Sequence, residues 1–402
     1  MKRILVLIIV LLIAIVTMAY LYFSGLQTGK KNDDALLYTA TSNASIIFSF
    51  QNDKSIVDIL AGQSLIAELV GKEKSASLQS LNKYLLSKET IGRLAGKENV
   101  YISLLPGENK TIEFLYSTKI SVENGSALLI NAMKSQGIRL ATTGKLTSIT
   151  LPDSSVFFLA IRENLILLSS SVNTVLKALS AATDKSNPFA EFITSNSKLE
   201  KSSLAEVYIN FNNLPKLLTV IMPGKLNGNL SVLNNQNAFA SLVYNYSTDK
   251  ILFSGTTNLN GNNSYFQLYS SFRAQKISIN NILPQNTASY TIYTIENYVA
   301  WSSKLKVWLD QQRQLRKKTA ILKNINSKYH LDLEQVFPKY FKSQLITFQL
   351  STSESLGAIA LSNGEKFEQQ LLDVSSTSGD EIKAFKESDL MYCYFGEPFK
   401  KF

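Results

Sequence analysis

The side chains that catalyse most hydrolytic and metal-dependent reactions are scarce in this chain of 402 residues. It contains one histidine, His330, and one cysteine, Cys393. A Ser/His/Asp arrangement could use only His330, and the G-x-S-x-G turn that exposes a nucleophilic serine is absent. Because zinc sites combine several His or Cys ligands, one residue of each type does not supply the usual spacings. We therefore predict no catalytic residue, no metal ligand and no cofactor site.

Ser-x-x-Lys patterns, such as those that begin at Ser80 and Ser303, are the closest approach to hydrolase chemistry. The S-D-N and K-T-G elements of penicillin-binding enzymes do not accompany them. We interpret His330 as a surface residue just before a helix. Cys393 lies between two tyrosines in a pattern typical of a packed strand. An envelope hydrolase with an unrecognised active site is the alternative function.

Positive charge is concentrated in one predicted helix. The net charge is +10, and residues 301–324 hold a run of Lys and Arg against Asp310 alone. Apolar residues such as Leu305 and Leu309 recur at helical spacing, which indicates either an amphipathic helix that contacts an anionic surface or an ordinary helix with a solvated face. Six cations are the candidate contacts with an anionic surface: Lys304, Lys306, Arg313, Arg316, Lys317 and Lys318.

This charge does not predict a nucleic-acid partner. Proteins that follow a phosphate backbone spread basic residues along a groove and interleave them with aromatic side chains. Outside residues 301–324 the charges of the predicted soluble portion are close to balanced and no such pattern occurs. We expect no nucleic acid among the partners.

The N-terminus has the pattern of a membrane anchor. Residues 4–23 are uncharged and rich in Leu, Ile and Val, and a helix of about twenty residues spans about 30 Å, the thickness of the hydrocarbon core of a bilayer. A cleaved signal peptide has a shorter apolar stretch and a small-residue cleavage site, whereas this run ends on Tyr22 and Phe23. We predict a retained transmembrane signal-anchor over residues 1–24.

The charges around the anchor predict its orientation. Lys2 and Arg3 stand on the short N-terminal side, which places the N-terminus in the cytoplasm and residues 25–402 outside it. With one cysteine the chain forms no intramolecular disulfide, which fits a bacterial envelope better than a eukaryotic secreted protein. We therefore expect a single-pass protein of the bacterial inner membrane, held in the lipid bilayer by residues 4–23, with a periplasmic portion.

The rest of the chain predicts an α+β fold in two related modules of antiparallel sheet covered by helices, behind the N-terminal transmembrane helix. A strand, helices, a hairpin and a further helix follow each other twice. In the first copy the strand is at 44–50, the helices at 54–69 and 77–94, the hairpin at 100–116 and the further helix at 122–135. In the second copy the strand is at 286–293, a long helix at 296–324 and a short one at 331–337, the hairpin at 344–361 and the further helix at 364–374. The predicted organisation is an anchor at 1–24, a tether at 25–36, a first module at 37–200, a β-rich middle segment at 201–280 and a second module at 281–402.

The second module is predicted to be truncated. In the first module the strands continue through 165–168 into a capped helix at 171–180, but the second ends with strands that reach 392–394. Roughly one strand and one helix are missing by this comparison. We therefore expect an unpaired edge in the C-terminal sheet, and a chain that is a fragment of a longer protein.

Three motifs resemble those of known proteins. Residues 331–338 (LDLEQVFP) precede a predicted strand, residues 281–284 (NILP) enter another, and residues 158–169 form a hydrophobic hairpin with a charged turn. They resemble a family of bacterial membrane-anchored extracytoplasmic α/β-repeat proteins of unknown function. The resemblance implies location and architecture and brings no chemistry.

The sequence thus predicts a membrane-anchored, extracytoplasmic and non-enzymatic component of the bacterial envelope. Such a protein would provide a binding or scaffolding surface. Its expected partners are the lipid bilayer and either an envelope protein or anionic lipid headgroups.

Overall fold

The computed structural model describes most of the chain beyond residue 33. The described residues are 34–51, 71–88, 92–94, 96, 98–108, 111–183, 186–197, 205–222, 226, 228–234, 236–246, 251–261, 264–330, 332–372, 390–396 and 399. The predicted anchor, most of the tether and the predicted helix at 54–69 lie outside them. No described helix is long and apolar enough to cross a membrane. The described residues form two compact units, one reaching Asn213 and including Phe239–Thr256, the other made of the rest.

The first unit is built on a ten-stranded sheet. The strands are β1 (Ile46–Gln51), β2 (Asn99–Pro106), β3 (Ile112–Lys119), β4 (Arg139–Thr143), β5 (Leu146–Thr150), β6 (Val156–Arg162), β7 (Leu165–Ser169), β8 (Ala205–Asn210), β9 (Ala238–Tyr246) and β10 (Ile251–Leu259). Their order is β10-β9-β8-β1-β2-β3-β7-β6-β5-β4, and β2, β3 and β7 pair antiparallel with their neighbours. The predicted α+β class with antiparallel sheet is confirmed.

Helices cover both faces of this sheet. They are α1 (Asp34–Thr41), α2 (Lys72–Leu81, continued by a π-helical turn over Asn82–Leu86), α3 (Gly125–Ser135), α4 (Val172–Ala181) and α5 (Pro188–Asn196). Leu36 of α1, Val175 of α4 and Phe189 of α5 meet strand residues in one buried core. The predicted capped helix is confirmed, because the Ser171 hydroxyl accepts a hydrogen bond from the Thr174 amide at the start of α4.

The second unit has a smaller sheet. Strands β11 (Thr287–Thr294), β12 (Phe341–Leu350) and β13 (Ser355–Leu361) lie in that order and pair antiparallel. The helices of this unit are α6 (Leu214–Ile221), α7 (Tyr298–Gln311), α8 (Leu315–Tyr329), α9 (Leu333–Tyr340), α10 (Gly364–Leu372) and α11 (Leu390–Phe395), and 3₁₀ turns occur at Gly228–Leu233, Tyr265–Leu268 and Ile279–Ile282.

Aromatic side chains dominate the core of the second unit. The Trp301 ring is fully buried and lies 5.8 Å from Tyr269, 6.0 Å from Tyr298 and 6.3 Å from Phe395, between ring centroids. Tyr265 donates its hydroxyl to the Phe395 carbonyl. These contacts join α7, α11 and the turn at Tyr265–Leu268 into one layer beneath the sheet.

Two local predictions for this unit are wrong. The helix predicted without interruption over 296–324 is two helices, α7 and α8. The strand predicted at 392–394 is the helix α11, in which Cys393, Tyr394 and Phe395 are all buried. A short, wholly apolar run has the same pattern in a buried strand and in a buried helix, so only its packing distinguishes the two.

Candidate functional site

A tight turn joins the two helices that carry the predicted cationic residues. At the end of α7 the Arg313 amide donates to the Asp310 carbonyl (2.8 Å) and the Gln314 amide to the Leu309 carbonyl (2.7 Å). This is the Schellman arrangement, in which the residue in the left-handed conformation is usually glycine. Here it is Arg313, with a φ of 58°. A long cationic side chain therefore occupies a backbone position that disfavours any side chain.

The structure exposes four of the six predicted contacts. Lys306 on α7, Arg313 in the turn, and Arg316 and Lys317 in the first turn of α8 are exposed. Lys323, one turn and a half further along α8, is exposed as well. We call this set the basic corner: Lys306, Arg313, Arg316, Lys317 and Lys323.

The two other predicted contact residues pack against neighbouring side chains of the second unit. Lys304 is half-buried, donates to the Ser271 hydroxyl and lies with its Nζ 5.0 Å from the centroid of the Phe272 ring. Lys318 is 8% exposed, and its Nζ lies 5.7 Å from the centroid of the Tyr394 ring. Burial lowers the pKa of the Lys318 amine; Glu334 and Cys393 oppose this effect and Lys306 adds to it. Lys318 thus faces the aromatic core rather than solvent.

Little negative charge compensates the basic corner. Asp310 is the one acidic residue in residues 301–324. In the described part of the chain, Lys306, Arg313, Arg316 and Lys323 take part in no ion pair. The start of α8 adds to the positive potential, because its cap Gln314 makes no side-chain hydrogen bond and its first turn contains no acid. Basic side chains at the positive end of a helix dipole repel it and favour a bound anion.

We expect Arg313→Gly to raise the free energy of unfolding by about 0.5–1 kcal/mol, because glycine adopts the left-handed conformation without strain. Urea unfolding of the full chain measures the change. Lys323→Gly is the matched control: it removes one positive charge from an exposed position in the middle of α8, where glycine costs about 1 kcal/mol. A destabilised Arg313→Gly variant would contradict the inferred strain.

The structure does not bring together the Ser, His and Cys residues considered for the hydrolase alternative. Ser303 donates to the Val299 carbonyl of its own helix (3.0 Å). A hydrogen bond from Ser80 is the main reason why the pKa of Asp153 is lowered. His330 is exposed and ends α8 in the left-handed conformation, just before α9 as interpreted, and Cys393 is buried.

One Ser–Lys pair was missed from the sequence. Lys74 Nζ lies 3.2 Å from Ser170 Oγ, and both contact the Glu113 carboxylate, at 3.5 and 3.3 Å. Because Lys74 also forms an ion pair with Glu113, we interpret this cluster as a structural link between α2 and β3. Lys74 and Ser170 are 96 positions apart, so no local spacing could predict the pair.

The described residues offer few other candidate sites. No group of three or more His, Cys, Asp or Glu side chains there could hold a metal ion. A cavity of about 370 Å³ in the first unit is lined by Lys119, Arg162, Glu163 and Asn164 together with apolar residues, without a Ser, Cys or His. The basic corner is therefore the best candidate site.

Comparisons with known proteins return no relative. No family model matches the chain, and no curated protein or solved structure matches it. The geometry of the chain itself has to carry any functional argument.

Proposed function

We propose that this chain is a single-pass, membrane-anchored protein of the bacterial cell envelope that binds an anionic lipid surface. The observation that carries the proposal is the basic corner, whose five exposed cations lie on α7, on α8 and in the turn between them, with Asp310 as the one acidic residue within residues 301–324. The predicted anchor at residues 4–23 would hold the chain beside a bilayer. Each Lys or Arg near an anionic membrane surface contributes about 1 kcal/mol to binding.

Two features of the corner favour lipid headgroups over an acidic protein. Arg313 and Arg316 carry planar guanidinium groups, which bind phosphate oxygens in pairs. Val307, next to Lys306 on α7, is 60% exposed. An exposed aliphatic side chain among cations fits the headgroup–acyl boundary of a membrane, where both find favourable surroundings.

The anchoring is tested by fractionating a bacterial host that expresses the full chain and adding protease to intact spheroplasts. We expect the protein in the membrane pellet, with the portion after residue 24 digested. A protected soluble portion would contradict the orientation. Recovery in the soluble fraction would contradict a retained anchor.

The lipid contact is tested on the full chain in lipid nanodiscs by amide hydrogen exchange. We expect slower exchange at the α7–α8 turn in discs that contain phosphatidylglycerol than in purely zwitterionic discs. A triple variant carries Arg313→Gln, Arg316→Gln and Lys323→Gln. It should lose about 3 kcal/mol of binding free energy, which weakens the binding constant of the basic corner for the lipid surface by roughly 150-fold. This protection should then be lost.

The matched control neutralises three exposed cations of the first unit, Lys134, Arg139 and Lys145. It carries the same net charge as the triple variant and should keep the protection. Equal protection in zwitterionic discs, or loss of protection in the control, would contradict a specific contact through the basic corner. Raising the salt concentration should weaken the contact, because it is electrostatic.

We also propose that the chain contains two related modules. Strands β1, β2 and β3 are neighbours in chain order, as are β11, β12 and β13. Each set ends with a hairpin followed by a helix, α3 or α10. An experimental structure in which the two sets fail to superpose strand by strand would contradict the duplication.

A further inference from the structure

Among the described strands, β13 lies at a sheet edge, and its sequence has none of the usual features that prevent edge pairing. Its sequence, SLGAIAL, contains no charge and no proline. One side pairs with β12, where Ala358 lies opposite Ile346. No described strand pairs with the other side, where Gly357 is exposed and Leu356 is 44% exposed. Soluble proteins rarely leave such an edge uncovered, because it accepts any strand that fits.

The first unit indicates what fits beside such a strand. Strand β3, which corresponds to β13 in the proposed duplication, pairs antiparallel with β7, for example Thr118 with Ile166. All five residues of β7 are buried. By this comparison, the neighbour expected beside β13 is an apolar strand that runs antiparallel to it.

We infer that β13 of a second copy of this chain occupies this edge. Antiparallel pairing about Ala358 sets Leu356 opposite Ala360 and Gly357 opposite Ile359. Large side chains then meet small ones on both faces of the joined sheet, so the strand is complementary to itself. Such isologous pairing about a two-fold axis is the commonest way in which identical chains associate.

Pairing between two β13 strands would extend the apolar surface on both faces of the second sheet. On the outer face, Leu356 lies in a row with Phe348 and with Tyr290, which is itself exposed. On the inner face, Ile359 lies opposite Leu345 and contacts the aromatic core. A partner strand would cover Leu356 and continue these two apolar surfaces, which favours association.

The other uncharged edges are less suitable. The opposite edge, β11, has a register shift between Thr287 and Ser289, and such bulges hinder the pairing of edges. Strand β10, at one edge of the first sheet, is not complementary to itself. The same operation about Gly255 would set Leu252 and Phe253 opposite Asn258 and Thr257.

Sedimentation velocity of the full chain in mild detergent tests the association. We expect a dimer that dissociates on dilution, and Leu356→Lys should weaken it by more than about tenfold, because it places a charge in the joined sheet. Leu252→Lys is the matched control on β10, where leucine is 60% exposed. A monomeric natural chain, or dissociation by Leu252→Lys instead, would overturn the inference. Circular dichroism verifies that both variants are folded.

Disulfide formation tests the register. Residues directly opposite each other in an antiparallel pair lie within disulfide range, so Ala358→Cys should cross-link two chains under oxidation. Ser355→Cys would lie about 20 Å from its counterpart and should not. The natural chain controls for Cys393, which is buried. Cross-linking through position 355 but not 358 would overturn this pairing.

Discussion

Replacing Trp301 by alanine should lower the free energy of unfolding by about 4 kcal/mol. This value lies within the range measured when a large buried aromatic side chain is removed. Trp301 is fully buried, and its ring neighbours come from three separate segments. The cavity would lie where α7, α11 and the turn at Tyr265–Leu268 meet, so the surroundings could close over it only by moving a helix. Urea unfolding of the full chain, followed by tyrosine fluorescence or circular dichroism, measures the loss.

Two further variants make this result interpretable. Val307→Ala shortens an exposed side chain on the same helix and should change stability by less than about 0.5 kcal/mol. Trp301→Phe keeps most of the ring volume and removes an indole N–H that has no hydrogen-bond partner among the described residues. Trp301→Phe should therefore lower the free energy of unfolding much less than Trp301→Ala does. Equal losses of stability for alanine and phenylalanine would contradict the view that filling this volume stabilises the core.

Replacing Gln344 by leucine should cost about 3 kcal/mol, because three backbone groups lose their partner and each costs about 1 kcal/mol or more when left unpaired. The buried Gln344 Oε1 accepts from the Ser278 and Ile279 amides, both at 3.0 Å, and its Nε2 donates to the Lys276 carbonyl at 2.6 Å. Through these hydrogen bonds, Gln344 of β12 holds residues 276–279 in place over the outer face of the second sheet.

Amide hydrogen exchange distinguishes this mechanism from a general loss of packing. In Gln344→Leu the amides of Ser278 and Ile279 should exchange faster than those of the β11–β12 pairing. Gln349→Leu is the matched control on the same strand, since Gln349 is exposed and makes one weak contact, 3.4 Å to the Ser353 carbonyl. If the control loses as much stability as Gln344→Leu, the proposed role of the Gln344 amide is wrong.

Local patterns predicted the parts of this fold that depend on local physics. The β2–β3 and β12–β13 hairpins show strand alternation and turn residues, and Ser171 is a recognisable helix cap. The break between α7 and α8 was missed because a left-handed helix end is normally signalled by glycine, and Arg313 carries no such signal. Helix α11 was missed because its apolar run is too short to show a period.

The candidate site was predicted only in its composition. The run of Lys and Arg in 301–324 identified the segment that holds the exposed cations, but not which of its side chains face solvent. Lys318 lies in the core because α8 starts at Leu315 and turns that position towards Tyr394. The partners of Gln344 are more than sixty residues away in sequence. Contacts of this kind arise from tertiary packing and leave no mark on local spacing.

The buried position of Cys393 means that its reactivity with thiol reagents reports on motion of the second unit. The thiol is the only one in the protein and lies buried within α11, beside the aromatic core of the second unit. A thiol reagent can reach it only when that helix moves away, so the labelling rate counts openings of the second unit with no dye attached beforehand. The same labelling rate can be measured in every variant above except Ala358→Cys and Ser355→Cys, each of which introduces a second thiol.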